Sequence, residues 1–167
     1  NFIQQAYKGK NEWYHWLFTI IVLFFGWQIL GAVPLFMAVA AKSKDLNQFL
    51  KFSEDNFMTA GLDKNFLLFL MILTFLVGLL FLFIGVKYIH HRTITSLVTS
   101  RAKIDWNRYF YGFLVWGILA VVMSYAGILL APENFTWNFN ATPFFILVAI
   151  SFLFIPFQTS LEELLFR

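Results

Sequence analysis

The chain has 167 residues, 60% of them apolar, 21% aromatic and only 13% charged, about half the roughly 25% charged fraction of an ordinary soluble domain. A soluble core of this size leaves too much surface in water to accommodate 23 Phe and 6 Trp, so a soluble monomer is disfavoured and a bilayer is expected to solvate the rest. The lack of cysteine excludes disulfides, thiolate zinc sites and cysteine nucleophiles, and the net charge of +3 is assigned to orientation in a membrane, with no nucleic-acid partner expected.

The opening segment NFIQQAYKGKNEWYHW has no apolar run before a small-residue cleavage site, so it does not read as a signal peptide. The start on Asn1 instead of Met leaves room for earlier residues. A first span is expected over residues 16–41, with only Thr19 and Gln28 as polar side chains, and its Gly26, Gly31 and Pro34 predict a bent helix packed closely against neighbours. In the loop at 42–65, Leu46, Phe49, Leu50 and Phe57 recur at roughly helical spacing, with Ser53 interrupting and Phe52 to one side. That pattern allows an interfacial amphipathic helix. A charge-free run over 66–86 is long enough at about 1.5 Å per residue to cross a hydrocarbon core of roughly 30 Å. A third span is expected over 109–131, and a fourth begins at Pro143, a residue welcome in the first turn of a helix.

The loop at 87–108 carries Lys87, Arg92, Arg101, Lys103 and Arg108 against the single acid Asp105. The loop at 132–142 carries Glu133 and no base. The positive-inside rule then puts 87–108 and both chain ends in the cytoplasm. The 42–65 loop, on the outer side in this scheme, carries four lysines with four acids. The expected fold class is an all-α, multi-pass transmembrane helical bundle with four spans in this chain. Residues 1–142 form a three-span N-terminal membrane region, and 143–167 begin a further region. A multi-pass protein of the bacterial inner membrane is the expected location.

The fourth span ends in Gln158-Thr159-Ser160-Leu161-Glu162-Glu163-Leu164-Leu165-Phe166-Arg167. A charge at the centre of an apolar helix costs about 2.5–3.5 kcal/mol on the insertion scale, so adjacent carboxylates there are either interfacial or functional. At about 100° per residue, Glu163 and Arg167 lie roughly 40° apart, in the favourable order for an ion pair. Glu162 faces elsewhere, available to activate water as a general base, and burial beside Leu161, Leu165 and Phe166 is expected to tune it. Pro156 removes a backbone donor and frees the Phe152 carbonyl, so a bend is expected there.

Glu162-Glu163-x-x-x-Arg167, within LEELLFR at the end of an apolar helix, resembles the first signature of the CPBP intramembrane proteases. That family includes the type II CAAX prenyl endopeptidases and bacterial bacteriocin-processing or immunity (Abi-like) proteins. The close resemblance covers about the last 25 residues. It implies an all-helical membrane bundle that hydrolyses a peptide or protein substrate in a cavity open to the cytoplasm. By the same resemblance Glu162 activates water, and Glu163 and Arg167 shape and support the site. The family also has a Phe-x-x-x-His and a His-x-x-x-Asn or Asp signature on later helices. Neither fits His15, His90 or His91, so the chain as given is expected to be inactive alone and to continue beyond Arg167. Family members are often called metalloproteases, yet no metal site is complete in this chain and its cofactor is unknown. A non-catalytic membrane subunit or scaffold, bound to membrane-protein partners, is the alternative reading.

His90 and His91 invite a metal reading, but adjacent helical histidines point about 100° apart, and they are expected to be interfacial side chains beside Lys87 and Arg92. Asn134 and Asn140 fit a glycosylation pattern that is read as chance. Trp137, Phe135 and Phe139 read as an aromatic belt.

Overall fold

A computed structural model of the chain describes residues 9–99, 101 and 103–166, which form helices and connecting turns with no strand among them. Helix α1 (Trp13–Phe24) runs through a π-wound turn at Phe25–Leu30 into α2 (Val33–Ala40). The widened turn is closed by Gly31 N–H donating to Gly26 O at 2.7 Å. Pro34 sits in the first turn of α2, where its missing N–H would have had no intrahelical partner.

Helix α3 (Leu46–Glu54) starts at Asp45, whose carboxylate accepts from Gln48 N–H at 2.7 Å, while the Gln48 side chain accepts from Lys44 N–H at 2.7 Å. This reciprocal cap satisfies donors that a helix start leaves open. The helix stops at Glu54, because Asn56 and Phe57 adopt φ of 51° and 64°, so Phe57 is carried by a turn rather than by the helical stripe expected of it. Phe52, expected to one side of the apolar stripe, packs inward with Phe49 and Phe57 against Leu35, Val39, Leu67 and Leu70.

Helix α4 (Lys64–Ile84) is capped by Asp63, which accepts from Asn65 and Phe66 N–H, both at 3.0 Å. It ends in a second π-wound turn at Gly85–Ile89, where His90 N–H reaches Gly85 O at 3.2 Å. A short α5 (Ile94–Val98) leads to α6 (Trp106–Leu130) and then α7 (Ala141–Phe166). Four helical stretches are long and apolar enough to cross a membrane: Trp13–Ala40, Lys64–Ile89, Trp106–Leu130 and Ala141–Phe166. Each begins two or three residues before the expected start, because polar or aromatic residues at the helix ends still satisfy helical backbone. The fourth continues through Pro156 to Phe166, far beyond its purely apolar part.

The core sits between the first two stretches and α7. α1 and α2 run antiparallel to α4: Thr19 meets Gly85, Gly26 meets Phe81 and Gly31 meets the Thr74 backbone. Helix α7 runs parallel to α4. Asn65 Nδ2 donates to Pro143 O at 2.8 Å at one end, Phe69 meets Phe154 with ring centroids 5.2 Å apart, and Leu161 meets Gly78 further along. A Cβ at Gly78 would stand 2.8 Å from Leu161 Cδ2 and 3.1 Å from Trp27, so only glycine allows this approach. Chain direction alternates along the four stretches, which gathers residues 9–12, residues 90–99 and Glu162–Phe166 at one end. Helix α6 has no buried residue and meets α7 through Phe113 and Phe152, ring centroids 5.9 Å apart.

Candidate functional site

The two glutamates ride on the last turns of α7, and Leu161 orients that segment. Leu161 is fully buried, 0% exposed, in a cluster with Leu23, Leu79, Leu82 and Val86, and Leu164 and Leu165 pack against the same cluster. With three leucines turned inward, Glu162 and Glu163 face outward, where both are exposed. Together with Thr159 and Phe166 they line one open concavity. Gln158, one turn earlier, donates Nε2–H to Glu162 Oε1 at 3.3 Å, which leaves Oε2 outside that bond.

The hydroxyls around the glutamates return to the backbone. Ser160 Oγ–H donates to Pro156 O at 2.6 Å, and Thr159 Oγ1 lies 3.2 Å from both the Ile155 and the Pro156 carbonyls. Such back-bonding draws Ser and Thr onto their own helix, so neither is presented as a nucleophile. The apolar enclosure expected around Glu162 is not built by these helices. Leu161 and Leu165 point into the core instead of over the carboxylate, and Phe166 is exposed. Arg167, the expected partner of Glu163, lies outside the described residues, and so does that ion pair.

The histidines depart from expectation. His90 follows directly on the Lys64–Ile89 stretch, at a span end as expected, but it is enclosed by protein, 0% exposed. Its Nδ1 lies 2.8 Å from Lys10 O, and since a carbonyl can only accept, Nδ1 carries the proton and donates. In the neutral ring Nε2 then accepts from Thr19 Oγ1–H, 3.0 Å away. Lys10 N–H donates back to His90 O at 3.1 Å, and the Trp16 ring covers the imidazole at 4.1 Å between centroids. Burial pushes the His90 pKa below the ordinary histidine value. The bond to Lys10 O opposes that shift, and the nearby His15 and Arg92 reinforce it. His91, at φ 52°, turns out to solvent. The burial of His90 depends on Thr19, a polar residue inside an apolar run, meeting Gly85, and neither residue signals the other in sequence. Among the described residues no group of three His, Asp or Glu side chains could hold a metal ion.

No family model matches the chain, and no solved structure matches it. The chain is similar to the uncharacterized protein YyaK of Bacillus subtilis (strain 168), with 26% identity over 161 residues covering 96% of this chain and 52% of YyaK. The chain therefore spans about half the length of the curated relative it matches.

Proposed function

We propose that this chain is part of an integral-membrane peptidase of the CPBP type, in which Glu162 activates the attacking water. One observation carries the reading. Two adjacent carboxylates, at the end of an otherwise apolar helix, line a single concavity, and the buried Leu161 holds the turn that bears them. The membrane setting is supported by four long apolar helices whose outward faces carry Phe, Trp, Leu and Ile side chains, an apolar exposure far beyond that of soluble monomers. The basic 87–108 connection lies at the same end as the glutamates, and the positive-inside rule makes that end cytoplasmic.

In this reading Glu162 Oε2 takes a proton from water as its oxygen bonds to the scissile carbonyl carbon, and returns that proton to the leaving amine as the carbon–nitrogen bond breaks. Gln158 holds the other carboxylate oxygen, so the base keeps one orientation. Glu163, beside it, shapes the negative field that holds water at the site. Stabilisation of the tetrahedral oxyanion, usually the largest single contribution to acyl transfer, falls to the His and Asn signatures that the resemblance implies on helices outside these 167 residues.

The test uses the full-length protein in proteoliposomes with a fluorogenic panel of prenylated and unmodified peptides. Glu162→Gln should lower cleavage by about 10²–10⁴-fold, the usual contribution of a general base, while leaving the helical circular dichroism unchanged. Equal cleavage by Glu162→Gln and the parent overturns Glu162 as the base. A protein that cleaves nothing, tolerates Glu162→Gln in the cell and co-purifies with a fixed membrane partner is a scaffold instead.

A further inference from the structure

Helix α3 divides its apolar arc between two neighbours. At about 100° per residue, Phe49 and Phe52 occupy one sector and Leu46 and Leu50 the next, roughly 40° apart from each other. The phenylalanines pack on the core formed by Leu35, Val39, Ala60, Leu67 and Leu70. The leucines do not: Leu46 is 72% and Leu50 50% exposed. A surface helix with a satisfied protein-facing half and a bare apolar shoulder beside it has a second apolar environment to meet.

The surroundings of that shoulder specify the environment. Leu46 opens onto the same concavity as Phe36 and Met37 of α2, residues on the outer face of the first apolar stretch, where Met37 is 68% exposed. Whatever apolar medium covers Met37 is continuous with Leu46. Lys44 stands on the rim of this concavity, and Lys42, Lys44 and Lys51 are exposed and form no ion pair among the described residues. The acid beside Lys44, Asp45, is turned onto the Gln48 N–H as the helix cap, and Asp55, four residues after Lys51, accepts from Thr59 Oγ1–H at 3.4 Å. Exposed leucines flanked by unpaired lysines, on a helix tethered between two apolar stretches, match the boundary between acyl chains and lipid phosphates, where lysine stems lie along apolar surface and ammonium groups reach the headgroups.

We infer that α3 is a lipid-contacting surface helix, with Leu46 and Leu50 inserted at the edge of the bilayer and Lys42, Lys44 and Lys51 at the level of the phosphates. The occupant of this face is phospholipid. The inference rests on the proposed membrane setting and is independent of the peptidase chemistry.

The chain contains no cysteine, so single-cysteine variants carry one spin label each. Leu46→Cys, Leu50→Cys, Lys51→Cys and Leu80→Cys are labelled with a nitroxide in the full-length protein, in nanodiscs of mixed phosphatidylglycerol and phosphatidylcholine. Collision with oxygen, which concentrates in lipid, is compared with collision with a water-soluble nickel chelate. Leu80 lies on the exposed side of α4 and reports on the membrane setting itself. The expected result is oxygen-dominated collision at positions 46, 50 and 80 and nickel-dominated collision at 51. Oxygen dominance at 80 with nickel dominance at 46 and 50 overturns the surface helix and leaves the membrane setting standing. Nickel dominance at 80 overturns both. Loss of collision with both reagents at 46 and 50 means that protein, a second copy or a partner, covers the face, and that also overturns the inference.

Discussion

Replacing Gly78 by Ala places one methyl group where α4, α7 and the first apolar stretch converge. The added carbon would stand 2.8 Å from Leu161 Cδ2 and 3.1 Å from Trp27 Cβ and Cγ. Reaching the ordinary contact distance of 3.4 Å requires Leu161 to recede by about 0.6 Å and Trp27 by about 0.3 Å. Overpacking of this kind costs about 1–3 kcal/mol, offset by roughly 1 kcal/mol for exchanging a mid-helix glycine for alanine. The net effect is a loss of up to about 2 kcal/mol. The matched control is Gly117→Ala on α6, where an added Cβ meets nothing within 4 Å and the propensity gain of up to about 1 kcal/mol stands alone. Both variants are unfolded reversibly in mixed micelles by raising the dodecyl sulfate fraction, followed by tryptophan emission. Gly78→Ala should unfold earlier than the parent and Gly117→Ala no earlier. Because Leu161 directly precedes Glu162, Gly78→Ala should also lower any Glu162-dependent activity, through a displacement that Gly117→Ala does not cause. Equal stabilisation by the two alanines would refute the close seating of α7 on α4.

Thr19→Val keeps the shape of the side chain but removes the hydroxyl that reaches His90 Nε2, leaving a buried acceptor unpaired, and should cost about 1–3 kcal/mol in the same unfolding assay. His90 has a folded pKa below its unfolded value, so it contributes stability that is fully present above about pH 6.5, the ordinary histidine value, and is lost as pH falls through the folded pKa. The protection factors of the Lys10 and His90 amides, their exchange corrected for the intrinsic pH dependence of amide exchange, should therefore fall on acidification, and His90→Gln should flatten that trend; parent protection factors that do not change with pH contradict the buried neutral imidazole. Asp63→Ala removes the cap that accepts from two N–H groups at the start of α4 and should cost about 1 kcal/mol, with restoration by Asp63→Asn as the check.

The local content of the fold was legible in residue order. Each apolar stretch is a run of neighbours in sequence, and hydropathy is a sum over neighbours, so the four long helices and the polar breaks between them follow without knowledge of packing. The adjacent pair Glu162 and Glu163 stands out for the same reason, as charge at the end of an apolar run. Helix limits were less legible at the polar ends. Asp63 extends α4 to Lys64 by capping it, and α7 runs on past Pro156 to Phe166, because a proline inside a helix removes one backbone donor and leaves the rest of the ladder in place.

What residue order alone determined is the element content: an all-helical chain rich enough in long apolar helices to suit a bilayer, with a carboxylate pair placed at a helix end. Only the tertiary structure decided which faces are covered. Thr19 and Trp16 enclose the His90 imidazole, 71 residues beyond Thr19 in sequence, where local reasoning expects an interfacial side chain. Gly78 admits Leu161 and thereby turns Glu162 outward instead of burying it. Phe52 goes into the core while Leu46 stays bare, although an amphipathic pattern alone does not rank them. The physical reason is common to all three. Burial is a property of contacts between segments distant in sequence, and within one helix a 100° rotation separates a core residue from an exposed one without changing its composition.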